Sequence, residues 1–496
     1  MAEQNSRPSP PAYPQALEDE RKGEGSNPFP SPFGGGQNEG FFQRLWQRLH
    51  PTPSADLPPV GLHAYNRSAP GETARLHLRV DPDRSGVLIV NANRVLHLNP
   101  SASAMTYAWL ENLPEKETSR RLGRQFGTSA RRISDDYAQF ASQLDELVRP
   151  DGACPIHELD LEITAPFSAE PSAPYRMDLA LTYRCNDNCA HCYNARPRSF
   201  PELTTEEWKH ILDQLWALGI PHVVFTGGEP TLRQDLPELI AHAERNGQIT
   251  GINTNGRLLA DPALVRRLVE AGLDHVQVTL ESHDPHVHDA MVGAAGAWEQ
   301  TVQGIRNVLS GDHRRLYLMT NTTLLTDNAP TLGEMLDFLA ALGVPTVGLN
   351  ALIYSGRGLT VGKGLPESQL HALLETARQR TEAHEQKLIW YTPTQYCNFD
   401  PVQMELGVKG CSAARYNMCV EPNGDVLPCQ SYYHSLGNLL QDPWESIWNH
   451  ELALRLRTRS YAPEKCQGCS FLPECGGGCP LILDLEALPA WQPNGE

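Results

Sequence analysis

Hydrophobic residues follow two alternating periods through the middle of the chain, and this alternation predicts repeated strand–helix units. Short apolar runs, typical of buried strands, are separated by segments in which apolar residues recur every three or four positions, as on one face of a helix. The predicted strands are Met177–Tyr183, His222–Thr226, Gln248–Thr254, His275–Leu280, Leu316–Thr322 and Thr346–Leu349. The predicted helices are Thr205–Leu218, Pro237–Asn246, Pro262–Ala271, Trp298–Leu309 and Leu332–Leu342. The pattern therefore predicts an α/β fold over residues 175–385, a partial (β/α)6 TIM-like barrel with its site at the carboxyl ends of the strands.

Residues 73–150 have a different pattern and predict a small separate domain. Two β-rich runs, Gly86–Val90 and Arg94–Leu98, surround a turn at 91–93 that is typical of a hairpin. The three helical patterns that follow are Ser101–Leu113, Glu115–Phe126 and Ser129–Val148. Two strands and three helices indicate a winged-helix-like α+β unit.

The remaining segments are distinguished by composition. Residues 1–72 are rich in Pro, Gly, Ser and charge, which predicts a mostly disordered segment. Within it, Gly40–His50 has an apolar helical face, typical either of a docking helix or of a local helix that rests on the folded domain. Residues 151–174 form a Pro-rich linker, 386–485 a Cys-rich C-terminal domain and 486–496 a short tail.

Charge and hydropathy restrict the partners. The net charge of −18 disfavours nucleic acid. Clustered arginines between 120 and 132 nevertheless keep a DNA-binding winged helix as the alternative for the small domain. We expect no membrane span, since no run of about 18 apolar residues occurs. The N-terminus lacks a secretion signal, so we expect a cytoplasmic protein.

Cysteine usage points to metal. Of the 12 Cys, Cys154 is isolated, three lie at 185–192 and eight lie between 397 and 479. Clustered Cys in a long cytosolic chain indicates metal binding rather than disulfides. Directly after the first predicted barrel strand comes Cys185-x3-Cys189-x2-Cys192, and three thiolates leave the fourth iron of a [4Fe–4S] cluster open for a ligand. The competing interpretation is a closed zinc site with His191, which adjoins Cys192.

A glycine-rich turn, Gly227-Gly228-Glu229-Pro230, ends the second strand. Together with the Cys loop it resembles the signature of the radical S-adenosylmethionine (radical SAM) superfamily, although the turn alone could be an ordinary one. The resemblance implies that the cofactor's methionine chelates the open iron, with its amine held at this turn near the Glu229 carboxylate. It also implies that reductive cleavage of the cofactor yields a 5′-deoxyadenosyl radical. Further cofactor contacts are implied at later strand ends, at Asn255, Glu281 and Ser282.

The C-terminal cysteines resemble the SPASM extension, which carries one or two auxiliary iron–sulfur clusters; zinc knuckles are the competing interpretation. The resemblance rests on Cys411, Gly424 and Cys429, followed by Cys466-x2-Cys469-x5-Cys475-x3-Cys479. It implies one cluster on Cys411, Cys429 and Cys479, with Cys397 as the upstream fourth ligand. It implies a second cluster on Cys466, Cys469 and Cys475. The usual Cys downstream of Cys479 is absent, so we expect Cys419 in its place, with Asp484 or an open iron as alternatives.

The order and texture of residues 73–150 resemble the PqqD-like leader-recognition domain of peptide maturases. Together the resemblances imply a radical SAM/SPASM maturase of a ribosomally synthesised peptide whose leader binds this domain. An external electron donor of the ferredoxin or flavodoxin type is also implied. One alternative is a radical enzyme that matures a small cofactor such as a tetrapyrrole. The non-enzymatic alternative is an electron carrier or zinc scaffold, against which the glycine-rich turn argues.

Overall fold

The computed structural model describes residues 57–69, 72–91, 94–148, 171–311 and 316–486. All of them belong to one compact unit, Asp56–Glu496. The predictions for Gly40–His50, for Cys154 and for most of the linker and the tail lie outside the described residues.

The N-terminal domain is a four-stranded antiparallel sheet with three helices. Its strands, in sheet order, are β1 (Gly61–Ala69), β2 (Glu72–Val80), β3 (Gly86–Val90) and β4 (Arg94–Leu98). Its helices are α1 (Pro100–Leu110), α2 (Glu115–Gln125) and α3 (Ala130–Val148). The predicted hairpin and the three helices are confirmed. The prediction of disorder up to residue 72 is wrong for β1, which pairs with β2 along its whole length and owes its order to that pairing.

Strand β2 is buried on both faces, with opposite chemistry. Leu76, Leu78 and Val80 point into the core of the N-terminal domain. The alternate residues carry the polar contacts with the barrel. Arg75 Nη1 donates to Asp274 Oδ2 at 2.8 Å, and His77 Nε2 bonds Gly247 O at 2.7 Å. Period-two alternation thus gives one strand two interfaces.

The barrel is a series of parallel strands with intervening helices. Its strands are β5 (Arg176–Thr182), β6 (His222–Gly227), β7 (Ile249–Thr254), β8 (His275–Thr279), β9 (Tyr317–Leu324), β10 (Thr346–Ala351) and β11 (Lys387–Trp390). Its helices are α4 (Thr205–Ala217), α5 (Leu236–Asn246), α6 (Pro262–Glu270), α7 (Pro285–Val292), α8 (Ala297–Ser310), α9 (Leu332–Leu342) and α10 (Glu367–Ala383). The six predicted strands are confirmed. A seventh, β11, pairs with β10, so the predicted boundary at 385/386 falls too early.

The C-terminal region continues the same sheet. Strand β12 (Asn417–Val420) pairs in parallel with β5, and β13 (Val426–Leu427) pairs with β12. The nine strands lie in the order β11-β10-β9-β8-β7-β6-β5-β12-β13. The helices of this region are α11 (Trp444–Trp448), α12 (Glu451–Arg457), α13 (Leu472–Cys475) and α14 (Pro480–Glu486). The Cys-rich region is thereby fixed beside the strand that leads into Cys185.

A search of the described segments for a helix that is long and apolar enough to cross a membrane finds none.

Candidate active site

The Cys loop follows β5 at the carboxyl end of the barrel. Cys185 is exposed, while Cys189 and Cys192 are half-buried. The backbone of the loop is fixed by neighbouring segments: Asn188 N donates to Val292 O at 2.8 Å, and Ala190 N donates to Met291 O at 3.0 Å. The chain itself therefore determines where the three thiols lie.

Side chains from the loop after β7 hold the same segment. Arg257 forms an ion pair with Asp187 at 2.7 Å and also donates to Asn186 O. Asn255 Nδ2 donates to Asn186 Oδ1 at 2.7 Å. The predicted site residue Asn255 thus lies beside the Cys loop, as the parallel order of the strands requires.

The surroundings of the three thiols fit a positively charged metal group. Although Cys185 reaches the surface, its thiol is partly enclosed, and this partial burial raises its pKa to about 11; nearby negative groups, including Glu229 and Cys192, add to the shift. Burial also raises the pKa of Cys189, and the negative charge of the neighbouring Cys192 adds to that shift. A bound cation would relieve this cost of forming thiolates together. No three Cys, His, Asp or Glu side chains of the described residues are arranged to hold a single metal ion.

The glycine-rich turn packs directly on the backbone that precedes Cys185. Gly228 N donates to Thr182 O at 2.7 Å, and Glu229 N donates to Arg184 O at 2.9 Å. A Cβ at Gly227, where φ is +131°, would lie 2.1 Å from Thr182 O, and one at Gly228 would lie 2.3 Å from Arg184 O. Both positions require glycine, because any side chain would separate the turn from the Cys loop.

Glu229 is fully buried, and its carboxylate joins two strand ends. Its oxygens accept hydrogen bonds from Thr254 Oγ1 at 2.7 Å and from Asn255 N at 2.8 Å. They also accept from the amide and hydroxyl of Thr231, in the short helical turn that starts at Pro230. Burial raises the pKa of Glu229, and these hydrogen bonds oppose the shift. The carboxylate therefore orders the carboxyl ends of β6 and β7 around the site.

Glu281 and Ser282 lie buried after β8. Glu281 Oε1 is 2.9 Å from His191 Nε2, and Oε2 accepts from Thr323 N at 2.8 Å. Burial lowers the pKa of His191, but the Glu281 carboxylate outweighs it and the pKa is raised. Ser282 Oγ accepts from Asp284 N at 3.1 Å. His191, the candidate zinc ligand, thus pairs with Glu281.

A buried carboxylate that the sequence analysis missed links the Cys loop to the C-terminal region. Glu421 accepts from Tyr183 Oη at 2.9 Å and from Arg196 at 3.1 Å, and Arg198 lies 3.5 Å away. Tyr433 Oη donates to Asn194 Oδ1 at 2.8 Å. No local pattern indicates this contact, because Glu421 and Arg196 are 225 positions apart.

The C-terminal thiols form two groups. The first auxiliary group consists of Cys411, Cys429 and Cys479, which are electrostatic neighbours. Burial, followed by the charge of Cys411, raises the pKa of Cys429 to about 12. Burial also raises the pKa of Cys479, and Cys411 and Cys429 add to that shift. The second auxiliary group is Cys466, Cys469 and Cys475. Burial raises the pKa of Cys466, and the thiols that add to the shift are Cys475, Cys397 and Cys469.

The two predicted fourth ligands have the following neighbours. Cys397 is an electrostatic neighbour of Cys466 in the second auxiliary group. Cys419 lies in β12 opposite Asp178, and its thiol neighbour is Cys429 of the first group. The register of β12 places Cys419 inside the central sheet, and which cluster each of the two thiols ligates stays a prediction.

Comparison with known proteins agrees with this geometry. The profile of the Radical SAM superfamily matches residues 179–339, and that of the SPASM iron–sulfur cluster-binding domain matches 411–470. A PqqA peptide cyclase of Granulibacter bethesdensis is 33% identical over 315 residues, which cover 60% of this chain and 80% of the relative. The chain belongs to the radical SAM superfamily. Its cofactors are a [4Fe–4S] cluster and S-adenosylmethionine, with auxiliary iron–sulfur clusters in the SPASM domain, and it is an enzyme.

Two further similarities extend the comparison. The radical SAM chain is 30% identical to an Fe-coproporphyrin III synthase of Methanosarcina barkeri over 330 residues, covering 60% of this chain and 81% of the relative. Its fold is similar to that of Streptococcus suis SuiB bound to its precursor peptide SuiA, with a TM-score of 0.62 and 16% identity, covering 84% of this chain and 96% of SuiB. The second similarity, at that identity, concerns the fold alone.

Proposed function

We propose that this radical SAM enzyme is a maturase that modifies a ribosomally synthesised peptide. One observation carries the proposal. This chain, which is related to PqqA peptide cyclases, has a small domain before its radical SAM and SPASM regions, and the sheet of that domain has an open edge. In the described sheet β4 pairs with β3 alone, and Val95 on β4 is 43% exposed. An edge of this kind can accept a peptide as an added strand.

The chain's own residues have different roles in the proposed reaction. When bound, the cluster and S-adenosylmethionine supply a radical that removes a hydrogen atom from the substrate. Cys185, Cys189 and Cys192 hold the cluster, and Asn255 and Arg257 position their loop. Glu229 fixes the strand ends that border the cofactor. Because these groups are hydrogen-bonded to one another, the site is ordered before the peptide enters.

The reaction is tested by co-expression with a short peptide encoded beside the gene, followed by intact-mass analysis. We expect a mass change in the peptide and formation of 5′-deoxyadenosine. The matched control replaces Cys185, Cys189 and Cys192 with Ala, which leaves no ligand for the cluster and should abolish both signals. Cofactor cleavage by the freshly reconstituted triple variant would refute the assignment of the Cys loop.

Leader binding at β4 is tested with a pair of equally exposed valines. Val95→Glu places a charge on the open edge and should weaken binding of the labelled peptide, measured by fluorescence anisotropy. Val402→Glu alters a valine that is 46% exposed in the C-terminal region and should leave binding unchanged. Equal binding by the two variants would remove β4 from the proposal.

A tetrapyrrole substrate is the second candidate, favoured by the similarity to Fe-coproporphyrin III synthase. Incubating the reconstituted enzyme with iron-containing tetrapyrrole precursors and assaying for Fe-coproporphyrin III separates the two candidates: we expect none of this product. An external ferredoxin or flavodoxin-type donor would reduce the cluster. The cytoplasm is the compartment we propose, because it keeps thiols reduced.

A further inference from the structure

The segment that follows β11 packs directly on the second auxiliary group. Tyr396 N donates to Cys475 Sγ at 3.5 Å, and Cys475 Sγ donates to Thr394 O at 3.5 Å. The rings of Tyr396 and Phe471 have centroids 6.3 Å apart. Backbone amides directed at sulfur are typical surroundings of cluster ligands. The second auxiliary group therefore has neighbours from outside its own loop.

Cys397 belongs to this segment. It follows Tyr396, so its Cα lies about 3.8 Å from that of a residue already in contact with Cys475. Its thiol is exposed, lies 3.8 Å from Asn398 Oδ1, and is an electrostatic neighbour of Cys466. An accessible thiol beside three cluster ligands is well placed to become the fourth.

The ligand expected from the sequence, Cys419, and its alternative, Asp484, are engaged in other contacts. Cys419 is buried in β12, hydrogen-bonds Val420 O at 3.6 Å and adjoins Cys429. Asp484 accepts hydrogen bonds from Tyr432 at 2.7 Å and from Arg455 at 2.9 Å, so both of its oxygens are engaged. Either would have to abandon these contacts to reach the second group.

We propose that Cys397 is the fourth ligand of the second auxiliary cluster, which is then held by Cys397, Cys466, Cys469 and Cys475. An upstream thiol replaces the absent downstream one, and the cluster is closed by four thiolates. On binding iron, the Cys397 thiol releases its proton to solvent. The cluster then ties the end of the barrel, just after β11, to the loop that carries α13. The inference rests on the auxiliary clusters and not on the peptide reaction. Either proposal, ligation by Cys397 or peptide maturation, could therefore be refuted without refuting the other.

Thiol footprinting of the wild-type protein tests the ligation directly. The reconstituted, iron-replete enzyme is alkylated without oxygen and mapped by mass spectrometry, beside the iron-free protein. Because Cys397 is exposed, it should react readily without iron and about tenfold or more slowly with iron. Equal rates in the two forms would overturn the proposal.

Two variants assign the thiol to one cluster. Cys397→Ser should expose Cys466 and Cys469 to alkylation and alter the electron paramagnetic resonance signal of the reduced auxiliary clusters, while Cys411 and Cys479 stay protected. Cys419→Ser, the matched control, should leave Cys466 and Cys469 protected. Exposure of the first auxiliary group by Cys397→Ser, or of the second by Cys419→Ser, would overturn the proposal. Iron content and footprints are independent of peptide turnover, so they remain readable if no peptide is modified.

Discussion

Glu229 shows how a single buried carboxylate organises this site. Its oxygens accept from the amides of Thr231 and Asn255, and neither amide can turn away. In Glu229→Gln one of these amides faces an NH2 group, so we expect a loss of stability of about 2 kcal/mol and slower formation of 5′-deoxyadenosine. Urea unfolding of the iron-free protein and the cofactor cleavage rate measure the two effects. The exposed control Glu270→Gln should change neither; a Glu229→Gln protein with wild-type stability would contradict this account.

Residue types that carry local chemistry were predictable from the sequence, and residues that act across the fold were not. The thiols at 185, 189 and 192 and the glycine-rich turn are recognisable because together they resemble the radical SAM signature. Glu421 and Tyr433 escape such reasoning, because their partners lie more than 200 positions away. The thiol neighbours of Cys397 and Cys419 escape it for the same reason, since contacts between segments distant in sequence decide which thiols are close.

At the scale of elements, two histidines join the amino ends of β6 and β8, the strands on either side of β7. His222 Nε2 and His275 Nε2 are 2.8 Å apart, and a Cβ at Gly251 of β7 would lie 2.0 Å from His275 Cε1. Burial, followed by the charge of Arg176, lowers the pKa of His275 to about 3. His275 is thus neutral in the folded protein and takes up a proton on unfolding below about pH 6.5.

Acid should therefore destabilise the barrel through His275. Because the folded pKa is depressed, this contribution is present above about pH 6.5 and is lost as the pH falls towards 3. When the pH falls from 7.5 to 5.0, the free energy of unfolding of His275→Gln should decrease by about 2 kcal/mol less than that of the wild type. Urea unfolding of the iron-free protein measures the difference. The exposed His286→Gln should keep the wild-type pH dependence. An unchanged dependence in His275→Gln would argue against a neutral buried ring.

Strand β2 fixes the N-terminal domain to the barrel through Arg75. Its guanidinium lies 2.6 Å from Glu244 and 2.8 Å from Asp274. We expect Arg75→Ala to cost about 2 kcal/mol, less than a fully buried pair because Glu244 is partly exposed. Hydrogen exchange should accelerate in β2 and at the start of β7, but not in β9 and β10. Arg266→Ala, an exposed control, should leave all four strands unchanged.

The elements differ in how far their patterns reveal them. Among the barrel strands, β6 is largely an apolar run, which predicts burial on both faces, whereas β8 alternates apolar and polar residues. In β2 the alternation of Leu76, Leu78 and Val80 is itself a strand signal. The burial of His77 and Arg79 is not predictable, since polar side chains indicate solvent until their partners are known. Strand β11 and the pairing of β12 with β5 depend on contacts distant in sequence.

At the scale of the whole molecule, the N-terminal domain and the Cys loop lie at opposite ends of the barrel strands. Arg75 and His77 contact Asp274 and Gly247, just before β8 and β7 begin, whereas Cys185 follows the end of β5. The Pro-rich linker suggested a domain set apart from the barrel, but these contacts join the two. Removal of the domain would uncover the Gly247 region of the barrel, so deletion is a poorer test of leader binding than a change on β4.

This arrangement predicts a minimum distance between the leader and the modified residue of the peptide. A barrel strand of seven residues, such as β5, spans about 20 Å. A peptide bound at the amino ends of the strands must cross that distance to reach the site, which takes about six extended residues. Peptides with shorter spacers should still bind the enzyme but gain no mass.

A spacer series separates this geometric requirement from loss of affinity. Peptides shortened by two residues at a time are tested for binding by anisotropy and for modification by intact mass. Since leader and reacting residue are held at opposite ends of a rigid barrel, we expect modification to fall sharply below about six spacer residues while affinity stays constant. Glycine–serine replacement at constant length is the control and should preserve turnover. Full modification of a peptide without a spacer would place the leader near the Cys loop and contradict binding at β4.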